Sequence, residues 1–197
     1  EMCIRDSVIN LGWVFGLVIA PVYIMVVANL INLHAGYNGL VSGLSWILLV
    51  FIGIKSFMLH GLDNMLFFIP VFGALTAFLP YNMYPAKVHD GNIGNFLVGG
   101  AIGGLLLVNN MEKFGIFILT PHIINFLMDT WTIVIRRRKD VKFGRLRKDG
   151  TIEAPPTMKY KSLKFLIVSL FRLTEKQATF LLYIPTIVFG IIGLLIF

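Results

Sequence analysis

The sequence has almost no cysteine and few charged residues. Cys3 is the single cysteine among 197 residues, which excludes an internal disulfide and any metal site built from several cysteines. Charged residues make up 14% of the chain, against roughly 25% in soluble domains. The chain has no Walker loop and no HExxH or GxSxG motif, so these signatures of nucleotide binding and hydrolysis are excluded.

Most of the chain consists of apolar residues instead. Hydrophobic residues make up 57% of the chain, and the mean hydropathy is +0.82. From Ser7 to Ile54 there is no Asp, Glu, Lys or Arg, and a membrane span needs about 20 apolar residues. We therefore expect an all-α, polytopic membrane bundle with about six spans, near residues 12–33, 41–57, 65–79, 94–108, 114–135 and 180–197.

The positive charge is concentrated near the end of the chain. Of 17 Lys and Arg residues, 11 lie between Arg136 and Lys164, and loops rich in these residues stay on the cytoplasmic side. With six spans, the polar loops 33–40, 80–93 and 136–164 all fall on that side. The basic loop gives no evidence for nucleic acid. Asp149-Gly150 predicts a two-residue hairpin turn. The segment 159–176 predicts an amphipathic helix at the membrane interface, and the equal alternative is that it lines a groove for an extended lipid.

The polar stretch Asn29-Leu-Ile-Asn-Leu-His-Ala-Gly-Tyr-Asn-Gly-Leu40 is the centre of the chain. Asn29 and Asn32 are three residues apart and share a helix face, and Gly36-Tyr-Asn-Gly39 predicts a break in the helix. A polar face followed by a glycine turn is consistent with a small-molecule site. The alternative is structural, with amides that bond a neighbouring helix and a simple tight turn.

Two further loops carry candidate ligands. Lys87 and His89 are suited to phosphate or a base, while Asp90 and Asn92 offer oxygen atoms of the kind that Mg²⁺ takes. In the basic loop, arginines such as Arg145 are suited to clamping a diphosphate. Each candidate has a simpler explanation. Lys87 could be a positive charge that only fixes the topology, His89 a surface histidine, and the segment from Asp90 to Asn92 only a turn. The arginines could contact anionic lipid headgroups.

His122 and Asp129 lie two turns apart in the fifth predicted span, on one helix face. They suggest either a proton relay or a packed, hydrogen-bonded pair, and the second is favoured because Pro121 is nearby.

Two of these motifs resemble signatures of the polyprenyl-phosphate N-acetylhexosamine-phosphate transferases, glycosyltransferase family 4. Asn29–Leu40 looks closest to the dolichyl-phosphate N-acetylglucosaminephosphotransferase branch, with its Asn-Ile-Leu-Ala-Gly-Ile-Asn-Gly pattern. Tyr84-Pro-Ala-Lys-Val-His-Asp-Gly-Asn92 is similar to the family's Tyr-Pro-(Ala/Ser)-Arg-Val-Phe-x-Gly-Asp loop, and Phe143–Lys164 resembles its last cytoplasmic loop.

The resemblance implies a ten-span fold of which this chain supplies the last six spans, 8–197. Residues 1–7 look like a non-native leader, and the adjacent aspartates between the family's early spans would lie upstream. A fragment of this kind is expected to be inactive by itself.

The resemblance also implies roles for single residues. Asn32 would contact the metal-bound diphosphate with Asn29 behind it, and Asn32 and Asn92 would be the catalytic residues. Gly36 and Asn38 would recognise uracil, and His89 would stack on the base. Lys87, Lys142 and Arg145 would contact the phosphates and the sugar. Asn92 and Asp90 would bind Mg²⁺ (or Mn²⁺). Asn92 stands where the family has an aspartate, a departure that weakens the metal ligand.

The implied reaction transfers an N-acetylhexosamine phosphate, expected to be GlcNAc phosphate, from a UDP-sugar to polyprenyl or dolichyl phosphate with release of UMP. This would be the first membrane step of lipid-linked glycan assembly, in protein glycosylation or cell envelope biosynthesis. The site would face the cytoplasm. The protein would lie in the cell membrane or the endoplasmic reticulum, surrounded by membrane lipids, and a homodimer is an alternative to a monomer. The alternatives are a transporter or flippase and an inactive relative.

Overall fold

The structure, a computed structural model, describes residues 2–4, 7–9, 12–137 and 143–197. The described part contains eight helices of seven residues or more: α1 (Gly12–Leu33), α2 (Leu40–His60), α3 (Met65–Asn82), α4 (Gly91–Val108), α5 (Glu112–Ile118), α6 (Thr120–Ile135), α7 (Leu163–Leu170) and α8 (Glu175–Ile196). Short π-helical segments occur in α1 and α6. Antiparallel strand pairs are β1 (Met2–Ile4) with β2 (Ser7–Ile9) and β3 (Arg145–Leu146) with β4 (Ile152–Glu153). A 3₁₀ turn covers Pro156–Met158.

The predicted all-α membrane bundle is confirmed. Among the described residues, five helices are long and apolar enough to cross a membrane, and the number is six if α5 and α6, which are bent by 61° relative to each other, form one broken span. The first predicted span matches α1 at both ends, while the other four unbroken helices extend beyond the predicted ranges by a few residues. The chain is an integral, multi-pass membrane protein.

The bend between α5 and α6 has a covalent cause. Pro121 has no N–H and its ring clashes with the carbonyl group of residue 117, four positions earlier. The Phe117 carbonyl instead accepts a hydrogen bond from the Thr120 hydroxyl group at 2.7 Å. The helix therefore changes direction here, and α6 carries His122 and Asn125 to the end of α1.

Glycines allow α4 to pack closely against α1. A Cβ atom on Gly99 would lie 2.7 Å from the Ala28 Cα atom, and one on Gly103 would lie 3.1 Å from the Ile24 Cα atom. Small residues at such spacing let helix backbones approach in a membrane. The contact places the start of α4 beside the end of α1.

The chain order brings three connections to one end of the bundle: the 34–39 loop, the 83–90 loop and the segment from 136 to 162. The β3–β4 hairpin is confirmed, but its turn differs from the predicted two-residue turn. Gly150 N donates to Arg147 O, and Gly150 has φ +79°, which is the type I turn with a left-handed residue that closes three-residue hairpin loops.

The predicted helix over 159–176 is shorter in the structure. Only Leu163–Leu170 is helical, and a second helix begins at Glu175 after an extended break. Phe165 and Val168 of α7 are buried against Met158 and Ala178. This segment therefore packs onto the bundle with its apolar residues, and it also directs polar residues toward the bundle.

Candidate functional site

A polar cavity of about 470 Å³ lies where the three connections meet. We call it the polar pocket. Its lining comes from five stretches of the chain and includes amides, carboxylates and lysines among other residues: Asn32, Gly36, Tyr37, Asn38, His89, Asp90, Asn92, Asn95, Asp129, Phe143, Lys161 and Lys164. Such a mixture of hydrogen-bond donors, acceptors and cations is typical of a site for a polar, phosphorylated molecule.

Asn32 is held by an amide from α4. Asn95 Nδ2 donates to Asn32 Oδ1 at 3.2 Å, so the close α1–α4 contact sets the orientation of the Asn32 side chain. Asn95 Oδ1 is buried and has no hydrogen-bond partner among the described residues. An acceptor left in this state costs free energy unless a ligand, an ion or water completes it.

Two lysines supply buried positive charge. Lys161 and Lys164 are only 5% and 7% exposed, although lysine is almost never buried without a partner. Lys161 Nζ lies 3.4 Å from Asp129 Oδ1, and Lys164 Nζ donates to the Ala35 carbonyl oxygen at 2.6 Å. Both ammonium groups line the polar pocket, where they would favour an anion.

The first half of the 34–39 loop is fixed by residues that come much later in the chain. Asn125 Nδ2 donates to Leu33 O at 3.1 Å, and Lys164 crosses directly over Gly36. A Cβ atom on Gly36 would collide with the Lys164 ammonium group, and the φ angle of Gly36 is +146°. Glycine is therefore required at this position both for space and for backbone conformation.

The second half of the loop is fixed by α8. Glu175 Oε1 accepts a hydrogen bond from Asn38 N at 2.6 Å. One and two turns further along the helix, Thr179 Oγ1 donates to Asn38 O at 3.5 Å and the Tyr183 hydroxyl donates to Gly39 O at 2.6 Å. Because the Asn38 N–H is already bonded, a ligand can meet Asn38 only through its side chain or through other backbone groups.

Asp90 and Asn92 bring oxygen atoms from the start of α4. Ser42 Oγ lies 3.1 Å from Asp90 Oδ2 and 2.9 Å from Asn82 Oδ1, which ties the loop to the first turn of α2. Within the described residues there is no cluster of three His, Cys, Asp or Glu side chains that could hold a metal ion. Asp90 contributes one carboxylate and Asn92 one amide oxygen to the pocket lining.

An apolar groove of about 770 Å³ runs beside the polar pocket, between α1 and the bent pair α5–α6. Leu33 lines both cavities, and the groove's other walls include Val22, Val26, Phe126 and Leu127. A polar pocket that adjoins a membrane-embedded groove is suited to a reaction between a polar substrate and a lipid.

The polar pocket brings together most of the predicted site residues: Asn32, Gly36, Asn38, His89, Asp90 and Asn92. Asn29 does not join them. It lines the apolar groove and donates to Met25 O at 2.8 Å in its own helix.

Three cationic predictions have other outcomes. Lys87 is exposed and does not line the polar pocket; its backbone N–H donates to Tyr81 O. Arg145 lies on β3 with an exposed side chain, also outside the pocket lining. Lys142 lies outside the described residues.

The sequence reasoning missed Asn95, Asp129, Lys161 and Lys164 as pocket residues. The spacing held a signal for one of them, because Asn95 follows Asn92 by three residues on α4 and is therefore close to it. Lys161 precedes the first residue of α7, so helix spacing does not relate it to Lys164. Neither proposed interaction between His122 and Asp129 is present. The His122 ring packs edge-on against the His34 ring at 4.7 Å, and Asp129 pairs with Lys161, because the two side chains face different neighbours.

Comparison with known proteins gives a family and several relatives. The family model described as glycosyl transferase family 4 matches residues 2–110. Two archaeal proteins provisionally named UDP-N-acetylglucosamine–dolichyl-phosphate N-acetylglucosaminephosphotransferase are similar: that of Sulfolobus acidocaldarius is 29% identical over 94% of this chain and 55% of its own length, and that of Saccharolobus solfataricus is 26% identical over 95% and 57%.

A bacterial relative has a different transferred group in its name. The phospho-N-acetylmuramoyl-pentapeptide-transferase of Clostridium beijerinckii is 34% identical over 65% of this chain and 38% of its own length. The chain thus spans little more than half the length of the archaeal relatives and less of the clostridial one.

Proposed function

This chain belongs to glycosyl transferase family 4, and we propose that it forms part of an enzyme that moves a sugar phosphate from a nucleotide to a membrane lipid phosphate. The donor would be a UDP-linked N-acetylhexosamine and the acceptor a polyprenyl or dolichyl phosphate. The names of the archaeal relatives favour N-acetylglucosamine as the sugar and dolichyl phosphate as the acceptor.

One observation carries the proposal: the polar pocket, with its buried lysines, shares a wall with the apolar groove at Leu33. A lipid phosphate whose hydrocarbon chain lies in the groove would have its head group at the edge of the polar pocket. A diphosphate in the pocket would meet Lys161 and Lys164. The two reactants are then adjacent, which is the main requirement of phosphoryl transfer.

In the proposed reaction an oxygen of the lipid phosphate attacks the sugar-bound phosphorus of the UDP-sugar. A new P–O bond forms, the bond between that phosphorus and the bridging oxygen breaks, and UMP leaves with the bridging oxygen. Lys161 and Lys164 would stabilise the negative charge that builds up on the phosphate oxygens. Asn32, held by Asn95, would orient the diphosphate, and Asn38 would contact the base through its amide.

A divalent cation, Mg²⁺ or Mn²⁺, fits the donor chemistry of this site. We propose that Asp90 would hold it together with the amide oxygen of Asn92, and that the diphosphate would complete its ligand set. When bound, the cation would neutralise charge on the diphosphate.

The proposed location of the site is the cytoplasmic end of the bundle. The basic segment 136–164 leads from α6 to α7 at the end where the polar pocket lies, and such segments remain cytoplasmic.

The test compares two asparagines on the same helix. Asn32→Ala removes a pocket amide, and Asn29→Ala removes an amide of the same type that lies one turn earlier, outside the pocket. With the complete protein in proteoliposomes that contain saturating dolichyl phosphate, which compensates for any weaker lipid binding in the groove that Asn29 lines, we expect UMP release from UDP-GlcNAc to fall at least 100-fold for Asn32→Ala and to stay within about twofold of wild type for Asn29→Ala. Equal activity of the two variants would refute the site assignment, and substrate flux without UMP release would support a transporter instead.

A further inference from the structure

A second cavity adjoins the polar pocket on the side away from the apolar groove. This cavity of about 470 Å³, which we call the apolar slot, lies between α2, α3 and α4. Val71, Ala74 and Val98 are among its apolar walls, and its polar end shares His89, Asp90 and Asn95 with the polar pocket. The slot follows α4 from Gly94 to Ala101, a rise of roughly 10 Å along the helix.

Two buried polar atoms line the slot without a partner. Ser45 Oγ belongs to a residue that is fully buried, and Asn95 Oδ1 to one that is 3% exposed. Neither has a hydrogen-bond partner among the described residues. Each unpaired polar group in an apolar surrounding costs free energy, so the pair indicates a ligand group that the slot is built to receive.

The polar end of the slot is rich in acceptors and carries negative charge. Asp90 contributes a carboxylate, Asn95 an unpaired carbonyl oxygen, and the hydroxyl hydrogen of Ser42 is already within reach of two acceptors. Lys161 and Lys164 line the polar pocket and not the slot. A phosphate head group would therefore be repelled here and attracted on the other side of Asn95.

A neutral hydroxyl group matches this end of the slot. A hydroxyl group can donate one hydrogen bond and accept others. It could therefore donate to the unpaired carbonyl oxygen of Asn95 and accept from the unpaired hydroxyl group of Ser45. Behind it, the volume of the slot holds roughly 15 methylene-sized groups if each takes about the volume of a water molecule, ~30 Å³. The occupant is thus a single apolar chain that ends in an alcohol.

We infer that the apolar slot binds a long-chain isoprenoid or aliphatic alcohol, with the hydroxyl group at Asn95 and Ser45 and the hydrocarbon chain along α3 and α4. The inference does not depend on the proposed transferase reaction, because it rests on the slot's own walls and unpaired atoms.

The test counts bound farnesol on the complete, detergent-solubilised protein by native mass spectrometry. Ala74→Phe fills the slot, and Ala77→Phe makes the same change on the same helix outside the slot lining. We expect one farnesol per wild-type protein, unchanged affinity for Ala77→Phe and at least tenfold weaker binding for Ala74→Phe. Farnesyl phosphate binding should not differ between the two variants.

Ser45→Ala serves as a mild second variant, since it removes a single oxygen atom. Several-fold weaker farnesol binding at an unchanged Tm would support the proposal even if Ala74→Phe folded poorly. Equal farnesol binding by all variants would overturn it, as would ordered water alone in the slot. Farnesyl phosphate affinity that falls together with farnesol affinity would assign the slot to the lipid phosphate. UMP release, measured on the same samples, tests the proposed reaction separately.

Discussion

The hydrogen bond between Glu175 and the 34–39 loop makes a quantitative prediction. Glu175 stands at the first position of α8 and accepts the Asn38 N–H at 2.6 Å. Hydrogen bonds to a charged group contribute about 1.5–3 kcal/mol, and we discount this to about 1–2 kcal/mol because Glu175 is partly exposed and screened by water. The bond acts on the backbone that carries Asn38 into the polar pocket, so Glu175 is a positioning residue.

We expect Glu175→Ala to weaken UDP-GlcNAc binding. If the loop must recover its conformation on binding, a loss of about 1–2 kcal/mol corresponds to roughly a 5- to 30-fold increase in Kd. Glu175→Gln keeps an acceptor oxygen and should restore most of the affinity. In UMP-release kinetics the KM for the nucleotide should rise more than kcat falls, because the residue does not contact the reacting atoms.

Isothermal titration of the complete protein with UDP-GlcNAc is the direct assay. Lys176→Ala changes the next residue, which is exposed, and is the matched control for changes at the start of α8. A Kd for Glu175→Ala equal to that of Lys176→Ala would refute the reasoning. So would an equal loss in Glu175→Ala and Glu175→Gln, since that would trace the effect to charge and not to the loop's hydrogen bond.

Three further predictions follow from buried groups. Lys164→Met removes a pocket cation and should weaken UDP binding at least tenfold by titration, while Lys148→Met on the exposed hairpin should leave the affinity unchanged. Gly99→Val forces α1 and α4 apart and should destabilise the protein by about 1–3 kcal/mol, seen as a lower Tm, whereas Gly104→Val faces open space and should not. Burial lowers the pKa of His34 well below 6.5, so below about pH 6.5 the unfolded state binds a proton that the folded state does not; the Tm should fall with pH, and less steeply in His34→Asn.

The spans and half of the pocket could be predicted because their signals are local. Hydropathy determines where the helices can cross a membrane, and the glycines of the 34–39 loop predict that the helix is interrupted there. The pair Asn29 and Asn32 shows where local reasoning fails. Residues three apart differ by about 60° around a helix, and the boundary between the apolar groove and the polar pocket falls between them. Helix spacing cannot locate that boundary, because the neighbouring helices define it.

The lysines were missed for a related reason. Lys161 and Lys164 belong to a segment whose composition is typical of a membrane-surface helix, and their burial depends on the partners Asp129 and Ala35, which are 32 and 129 residues away in sequence. Asp129 itself reaches Lys161 only after the chain has bent at Pro121. Composition therefore predicted that this segment is basic, but the bend in the bundle decides which of its cations enter the pocket.

The same dependence on distant residues explains why the sequence of the 34–39 loop does not by itself predict nucleotide binding. Its sequence permits the turn, yet its backbone groups are bonded by Asn125, Lys164, Glu175, Thr179 and Tyr183. A chain with an intact 29–40 motif and an altered 160–183 segment would keep the glycines and lose the conformation. Nucleotide affinity should then vary with residues that never touch the nucleotide, and the motif alone would be insufficient evidence for binding.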